Sequence, residues 1–408
     1  MLTGFSMLNA RWREIMAGRG QRTALWHHGL ELPWTYADLD RRAEELVGSI
    51  DDTTEYVIAQ ADQVDFLPMI LAGWKTGTPV LVLETSHCRP RAIRSAIPDG
   101  TVFIKQSCGA SGVERSLFLD ERAVLAEAAR NIEGLGLVPE RVGLVAISLA
   151  HTYGLGCLAL PLLLGGIPLD VISAPLPMFL QQAFDRHHAC FLPGVPALWK
   201  TWMMSDCLDH PSLELAVSAG SPLTLEIEEK IHRATGTKVH NFYGTSETGA
   251  VAFDSTDSLR SDEGLLGSLL EGVEVTISQD GRILVKSDAM ATGADLLLRD
   301  DEFTTGNYRT SDTGRLENGS LFWSAHQGRA INVAGRKVSP DKVIRVCQTT
   351  EGVVRVEVKS VQSRDPERFQ EVAVFLELAQ DAELKTIKSA VYDRLESWEM
   401  PRHWKQLD

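Results

Sequence analysis

A strand rich in apolar and aromatic residues runs into the segment Tyr243-Gly244-Thr245-Ser246-Glu247, whose side chains suit a nucleotide. The ring of Tyr243 offers a face for a base, and the adjacent hydroxyls of Thr245 and Ser246 suit a phosphate. Glu247 supplies a carboxylate that could hold a divalent cation such as Mg²⁺. Alone, the segment also reads as an ordinary exit from a strand into a turn. Its value therefore depends on other segments that could bind the same ligand.

A loop rich in glycine and serine follows the apolar residues Val102–Ile104 and is a candidate phosphate site. Small residues allow backbone N–H groups to approach a polyphosphate, and a nearby cation can meet its charge. The candidate residues are Ser107, Gly109, Ser111, Gly112 and Arg115. The Walker A pattern G-x-x-x-x-G-K-[ST] is not present. A flexible loop explains this composition equally well, and we expect a helix to begin near Asp120.

Two further segments suggest the ligand-binding edge of a parallel sheet. An apolar strand leads into Gly220-Ser221-Pro222, where proline at the first helical position makes a tight strand-to-helix turn. Further on, Asp312 lies in a predicted turn, where its carboxylate could accept hydrogen bonds from the two hydroxyls of a ribose. Each segment has a simpler structural explanation, a good helix start for the first and an Asx-turn for the second.

The composition describes a globular protein with more than one domain. The chain has 408 residues, of which 44% are hydrophobic and 23% charged, and this length exceeds one ordinary core. The formal net charge of −15 argues against nucleic acid bound over a broad surface. Six cysteines are scattered without a C-x-x-C pair, which predicts reduced thiols in the cytoplasm rather than disulfides or zinc.

One apolar stretch is long enough to be weighed as a membrane span. Between Arg141 and Asp170 the ionisable side chains are those of His151, Tyr153 and Cys157, and the length suffices to cross a bilayer. Glycines, prolines and hydroxyl side chains interrupt this stretch, so a buried strand, a turn and a core helix explain it better. We therefore expect no membrane span, and the N-terminal residues do not resemble a secretion signal.

Short apolar strands alternate with helical patterns as far as the Tyr243 segment. Their hydrophobicity is continuous rather than alternating, which indicates burial on both faces and hence a mostly parallel sheet layered with helices, an α/β fold. The strand candidates are Tyr56–Ala59, Val80–Leu83, Val102–Ile104, Val142–Ile147, Leu169–Ile172, Cys190–Leu192, Leu215–Val217 and Val239–Phe242.

The pattern changes near Gly264, where apolar residues alternate with polar ones on both sides of Gln279-Asp280-Gly281 and predict an antiparallel hairpin. Beyond about Gly335, strands over Val353–Val358 and Glu371–Leu378 and a helix from Glu383 predict a small α+β unit. We therefore predict a large N-terminal domain over residues 1–326 with an antiparallel β subdomain, and a small α+β C-terminal domain over residues 327–408.

In their order along the chain, these segments resemble the adenylate-forming family, which includes acyl-CoA synthetases, luciferases and the adenylation domains of peptide synthetases. The resemblance covers nearly the whole chain. It is strengthened by four further matching segments, Tyr36–Ala43, Gly73–Val80, His151–Gly154 and Ala334–Pro340. It implies ATP-dependent activation of a small carboxylic acid as an acyl-adenylate. Transfer would follow, to coenzyme A or to the phosphopantetheine of an acyl carrier protein.

The resemblance also implies a role for each candidate residue. The nucleotide contacts would be Ser107, Gly109, Ser111 and Gly112 with Arg115 at the β- and γ-phosphates, Gly220, Ser221, Pro222 and Tyr243 at adenine, Gly244 and Ser246 beside them, and Asp312 at the ribose. Thr245 would touch the α-phosphate, Glu247 would hold Mg²⁺, and His151 with Tyr153 would border the acyl pocket. A buried core histidine is an equally good explanation of His151.

The chain departs from the family pattern in its phosphate loop, its linker and its last residues. Glu114 stands where the family has proline, and its charge would repel a triphosphate. The linker arginine of the family corresponds either to His326 or, with a short deletion, to Arg329, which we favour as a phosphate or ribose contact. The last residues resemble a shortened family C-terminus, because Lys405 does not lie in the context of the adenylation lysine.

Three functions compete at this stage. The first is a working acid–thiol ligase, and the second is an auxiliary protein that retains the nucleotide or acyl pocket without efficient adenylation. The third, an α/β-hydrolase, needs G-x-S-x-G, and the segment Gly244–Gly249 has one residue too many. The ligase is the function we expect.

Overall fold

The computed structural model describes residues 5–88, 90–93, 95–108, 114–294, 303–304, 306–326, 330–365, 368–379 and 382–407. Its helices are α1 (Ser6–Arg19), α2 (Tyr36–Val47), α3 (Phe66–Thr76), α4 (Glu121–Gly134), α5 (Thr152–Gly154), α6 (Leu160–Gly165), α7 (Pro177–Arg186), α8 (Pro196–Met203), α9 (Leu225–Thr235), α10 (Pro340–Gln348) and α11 (Leu384–Tyr392). A π-helical turn over Leu155–Ala159 joins α5 to α6, and Asp206–Leu208 forms a 3₁₀ turn.

The strands are β1 (Thr23–His27), β2 (Trp34–Thr35), β3 (Val57–Gln60), β4 (Val80–Leu83), β5 (Thr101–Cys108), β6 (Glu114–Asp120), β7 (Val142–Val145), β8 (Leu169–Val171), β9 (Cys190–Gly194), β10 (Leu213–Ser218), β11 (Val239–Thr245), β12 (Gly249–Phe253), β13 (Leu265–Leu269), β14 (Val273–Ile277), β15 (Arg282–Ser287), β16 (Gly293–Ala294), β17 (Phe303–Thr304), β18 (Asn307–Glu317), β19 (Ser320–His326), β20 (Ile331–Val333), β21 (Arg336–Val338), β22 (Val353–Gln362), β23 (Gln370–Leu378) and β24 (His403–Gln406).

The largest sheet in the described part of the chain has 14 strands. Their order is β14-β15-β18-β19-β13-β12-β11-β10-β9-β7-β8-β1-β2, with β17 paired to β18. Neighbours from β11 to β1 run parallel. From β11 through β12 to β14 the neighbours are antiparallel. Strand β11 therefore lies where the parallel half of the sheet meets the antiparallel half.

A second sheet has the order β16-β6-β5-β4-β3. Strands β3, β4 and β5 run parallel, and β6 folds back on β5 as an antiparallel hairpin that pairs Ser107 with Arg115. Asp120 ends β6, and its carboxylate accepts a hydrogen bond from the backbone N–H of Ala123 at 2.8 Å, which caps α4. Helix α4 therefore starts directly from the sheet.

Residues from Ile331 onward build a hydrophobic core of their own. Helices α10 and α11 pack on the sheet formed by β22, β23 and β24, and the cluster includes Val343, Val374, Leu376 and Val391. The remaining large clusters lie in the N-terminal part, around Trp12 and Trp74 on one side and around Trp199 and Trp202 on the other. The predicted boundary between residues 326 and 327 stays a prediction.

The predicted α/β class is confirmed, and so is the hairpin around Gln279-Asp280-Gly281, which β14 and β15 form. The apolar stretch between Arg141 and Asp170 folds as β7, the segment from α5 to α6, and β8. Across the described ranges, no helix combines the length and hydropathy that a bilayer crossing requires. The helix expected near Asp120 is present, but a strand precedes it where a loop was expected, because Leu117, Phe118 and Leu119 are buried in the second sheet.

Candidate active site

A cavity opens at the carboxyl end of β11 and is lined by residues that are distant in sequence. Its wall includes the loop Ala219–Pro222 after β10, the segment Asn241–Glu247 of β11 and its turn, and Asp312 in β18. His151 and Tyr153 line it from α5, and Asn332 and Gly335 line it from the C-terminal residues. Parallel sheets commonly bind ligands at such an edge. The structure thus brings together most of the described candidate residues.

Asp312 is held by two aromatic donors. The hydroxyl of Tyr243 donates to Asp312 Oδ2 at 2.8 Å, and the indole N–H of Trp323 donates to Asp312 Oδ1 at 3.2 Å. Burial raises the pKa of Tyr243 well above its usual value, and the charge of Asp312 raises it further. These two donors fix the orientation of the Asp312 carboxylate in the cavity wall.

The loop after β10 is in contact with C-terminal residues. Gly220 has φ +86° and its carbonyl accepts a hydrogen bond from Asn332 Nδ2 at 3.3 Å. A Cβ built on Gly220 would lie 3.4 Å from the Cα of Gly335, which also has a positive φ. Two glycines therefore allow the two backbones to approach closely. Ser221 and Pro222 continue this side of the cavity wall.

The two hydroxyls after Gly244 face different partners. Thr245 Oγ1 lies 3.0 Å from Thr248 Oγ1 and accepts hydrogen bonds from the backbone N–H groups of Glu247 and Thr248. It therefore stabilises the turn itself. Ser246 Oγ lies 2.9 Å from Thr152 Oγ1, which joins this turn to the start of α5. Of the two, the Ser246 hydroxyl is the one that links the turn to the other wall of the cavity.

Glu247 forms a buried ion pair with Arg115. The two side chains are 8% and 1% exposed, and the guanidinium of Arg115 donates to the carboxylate and also to the hydroxyl of Tyr308 at 3.0 Å. Burial alone would raise the pKa of Glu247, but Arg115 and a hydrogen bond with Thr245 more than offset this, so the pKa is lowered. Arg115, expected at the phosphates, is committed to this pair.

These contacts also test Glu247 as a magnesium ligand. Magnesium at nucleotide sites is commonly held by one or two carboxylates together with phosphate oxygens, and here the carboxylate already lies against a buried cation. No cluster of three His, Cys, Asp or Glu side chains that could hold a metal occurs within the described ranges. The residues as arranged therefore fit a magnesium ion poorly, and the metal role of Glu247 stays a prediction.

A second buried cation lies beneath the same turn. Lys105 is 6% exposed, and its ammonium donates to the backbone carbonyl of Ser246 at 3.0 Å. Burial lowers the pKa of Lys105 to about 8, although Glu127 and Glu247 act in the opposite direction. Lys105 and Arg115 thus approach the turn from neighbouring strands of the second sheet.

His151 and Tyr153 lie on the other wall of the cavity. The imidazole Nδ1 of His151 accepts a hydrogen bond from the backbone N–H of Tyr153 at 3.4 Å, which caps α5. Burial lowers the pKa of His151, so the ring is neutral at pH 7. Tyr153 donates to the carbonyl of Val217 at 3.0 Å and stacks on Phe242 with ring centroids 5.8 Å apart. The hydrogen bond and the stacking therefore fix the ring of Tyr153 in the cavity wall.

Several predicted contacts cannot be placed. Gly109, Ser111 and Gly112 of the phosphate loop and Arg329 of the linker lie outside the described residues. Ser107 is described in its backbone alone, as a residue of β5 paired with Arg115. Their roles stay predictions.

The structure also adds lining residues that the motifs did not indicate. Phe369 reaches the cavity from the C-terminal residues, and Glu127 reaches it from α4. Phe369 has φ 62° and packs edge-on to Trp323 at 6.0 Å. A lone glutamate on a helix and an aromatic residue in a loop carry no sequence pattern that indicates a site. Only the burial of Glu127 in the folded chain marks it.

Comparison with known proteins agrees with this geometry. Residues 98–293 match the family described as AMP-binding enzyme. The chain is 21% identical over 323 residues to a long-chain-fatty-acid–CoA ligase of Bacillus subtilis, and 24% identical over 290 residues to a 2-succinylbenzoate–CoA ligase of Listeria monocytogenes. These alignments cover 73% and 67% of this chain but 56% and 60% of the relatives, so the chain spans little more than half of their length.

Solved structures share the fold over nearly the whole chain. An o-succinylbenzoate CoA synthetase of Bacillus subtilis, bound with its product analogue OSB-NCoA, superposes with a TM-score of 0.85 at 18% identity, covering 98% of this chain and 94% of that chain. A malonyl-CoA ligase with methylmalonyl-CoA and AMP gives 0.81 at 20% identity, covering 95% and 96%. The Bacillus synthetase in complex with AMP gives 0.68 at 18% identity, with coverage of 98% and 94%.

The resemblance inferred from the ordered motifs is thus confirmed. Residues 98–293 match the family described as AMP-binding enzyme, and the chain has the α/β fold of the adenylate-forming enzymes.

Proposed function

We propose that this protein activates a small carboxylic acid with ATP as an acyl-adenylate and transfers the acyl group to the thiol of coenzyme A. The observation that carries the proposal is the cavity at the end of β11. There an oriented carboxylate, Asp312, and an aromatic ring, Tyr243, lie on one side, and His151 and Tyr153 lie on the other. A nucleotide and an acid can therefore meet in one enclosed space.

The residues divide into a nucleotide end and an acid end. At the first, Gly220–Pro222 and the ring of Tyr243 would enclose adenine, and Asp312 would accept hydrogen bonds from the ribose hydroxyls. At the second, the neutral imidazole of His151 lies beside the space for the carboxylate, so it adds no charge there. Attack of a carboxylate on phosphorus depends chiefly on alignment and charge stabilisation. The fixed rings and hydrogen bonds of this wall supply the alignment.

The placement of the C-terminal residues supports transfer to coenzyme A. The TM-score of the Bacillus synthetase against this chain is 0.85 in its complex with a CoA-product analogue. It is 0.68 in the complex with AMP and 0.69 in the complex with the acyl-adenylate, at the same coverage. Rotation of a small domain between two reaction steps is a known way to complete a site in turn. Of these three complexes, the one that holds the CoA-product analogue superposes best on this chain.

ATP–pyrophosphate exchange with a panel of aryl and aliphatic acids tests the first step, and acid-dependent loss of the coenzyme A thiol tests the second. We expect both with at least one acid. Asp312→Asn should weaken AMP binding by about 10- to 100-fold, because a charge-assisted hydrogen bond to the ribose is lost. Asp262→Asn serves as the control, since Asp262 is 44% exposed and paired with Arg315. AMP binding without exchange for any acid would indicate the auxiliary protein instead.

A further inference from the structure

Glu127 lies in the middle of α4 with its side chain only 10% exposed, and it lines the cavity beyond His151 and Tyr153. Charged side chains are rarely buried unless they are paired or have a ligand. Cys157, one helical turn after Tyr153, lines the same region. Because Glu127 Oε1 would lie 2.6 Å from a Cβ built on Gly156, the carboxylate lies against the segment that follows Tyr153.

The fold is shaped to hold this carboxylate. Both oxygens of Glu127 lie within hydrogen-bond distance of the backbone N–H of Ala250, at 3.3 and 3.0 Å, and Oε1 also accepts from Asn131 Nδ2 at 2.9 Å. A Cβ built on Gly249 would collide with Oε2, and one built on Gly156 would lie 2.6 Å from Oε1. Glycine at both positions thus leaves room that the carboxylate fills.

The carboxylate of Glu127 retains acceptor capacity, and the residue lines the cavity. Of its four or so acceptor positions, the hydrogen bonds within the described residues come from two donors, Ala250 and Asn131. Arg130 Nη1 lies further away, 3.8 Å from Oε2. A bound molecule that reaches the end of the cavity can therefore donate a hydrogen bond to Oε2.

The surrounding charges decide what kind of donor fits. Arg130 stands at ion-pair distance from Glu127 and is also paired with Asp288, and Lys105 interacts electrostatically with Glu127. Two nearby cations make a further positive charge unfavourable, so a neutral hydroxyl suits the position better than an ammonium group. The stacked rings of Tyr153 and Phe242 line the same cavity.

We infer that Glu127 selects carboxylic acids that bear a hydroxyl group at the end remote from the carboxylate, by accepting a hydrogen bond from that hydroxyl. The inference rests on the proposed acid activation and names the substrate class of the same site. An acid with a plain hydrocarbon end would leave the buried carboxylate facing apolar atoms, without the hydrogen bond it could accept. A hydrogen bond to a charged group contributes about 1.5–3 kcal/mol, so its loss would separate the two kinds of acid.

The test compares hydroxy acids with their deoxy partners: 3- and 4-hydroxybenzoate with benzoate, and 4-hydroxycinnamate with cinnamate. In pyrophosphate exchange, the wild type should prefer at least one hydroxy acid by about 10- to 100-fold in kcat/KM. Glu127→Met should abolish or reverse this preference, and Glu127→Gln, which keeps an acceptor oxygen, should retain part of it. Glu133→Met is the matched control, because Glu133 is an exposed residue of the same helix.

Two outcomes overturn the inference while leaving the proposed function standing. One is efficient exchange with no preference for any hydroxy acid, and the other is an unchanged preference in Glu127→Met. Calorimetric titration of each acid in the presence of AMP gives a second readout that needs no turnover, and equal affinities for the two members of every pair would also overturn it. Absence of exchange with every acid counts against the proposed function, and the titration then decides the inference separately. If Glu127→Met does not fold, the preference for hydroxy acids is compared between the wild type and Glu127→Gln.

Discussion

Replacing Arg115 by Met should destabilise the protein far more than removing an ordinary surface ion pair. The change leaves Glu247 buried without its cation and deprives Tyr308 of a donor. Removing one partner of a buried ion pair typically costs about 3–5 kcal/mol, whereas replacing both partners by uncharged side chains is often close to neutral. We therefore expect Arg115→Met and Glu247→Gln each to cost several kcal/mol, and the double variant to cost less than the two together.

The destabilisation caused by Arg115→Met should also depend on pH, in a direction that a general packing defect would not produce. In the wild type the pKa of Glu247 is lowered, so its contribution to stability is present above the unfolded pKa and is lost as pH falls through the folded pKa. Without Arg115, burial dominates and raises the folded pKa, so protonation then favours the folded state. The difference in unfolding free energy between wild type and Arg115→Met should shrink as pH falls from about 7.5 to 5.5.

Urea unfolding followed by tryptophan fluorescence measures these differences. Arg141→Met is the matched control, since Arg141 pairs at 3.0 Å with Glu214 on the surface, where the side chains are 20% and 44% exposed. We expect that control to cost no more than about 1 kcal/mol. A comparable small loss in Arg115→Met, or full additivity in the double variant, would show that the pair is not the buried, coupled unit described above.

Three further predictions concern neighbouring groups. Burial lowers the pKa of Lys105 to about 8, so stability should rise with pH between that value and the unfolded value of 10.5. Lys105→Met should reduce the rise in urea midpoint between about pH 7.5 and 9.5. Gly249→Ala should cost about 1–3 kcal/mol in urea unfolding, because φ is +71° and the new Cβ would meet the carboxylate of Glu127. Arg336→Ala breaks the ion pair between Arg336 and Glu84, whose side chains are 33% and 22% exposed; unfolding free energy should fall by no more than about 1 kcal/mol.

Much of the fold could be predicted because its strands are buried on both faces. Continuous apolar runs such as Val80–Leu83 and Val142–Ile147 predicted a parallel sheet, and β4 and β7 lie in parallel pairs. Strand β6 was not predicted, because its apolar residues form only a short run between the glycine-rich loop and the helix expected near Asp120. What identifies it as a strand is its pairing with β5, which no local pattern specifies.

The candidate site could be predicted where chemistry and spacing coincide, as in Tyr243 and Asp312. Their proximity, with a hydrogen bond of 2.8 Å between residues 69 positions apart, follows from the fold that the ordered motifs indicated. The partner of Arg115 could not be predicted, because Glu247 is 132 positions away and both side chains had been assigned to the ligand. The place of Glu127 in the cavity wall could not be predicted either, since a glutamate at an interior helix position is usually exposed.

The location of the site follows from the role of strand β11 in the large sheet. Its first residues, Val239–Asn241, pair in parallel with β10, and its last, Phe242–Thr245, pair antiparallel with β12. A strand that changes partners in this way leaves the end of its parallel neighbour uncovered, and the loop carrying Gly220 fills only part of that space. Residues of the C-terminal unit, including Asn332, close the remainder. Under the proposed function, movement of that unit would open and close the cavity between the two reaction steps without disturbing the sheet.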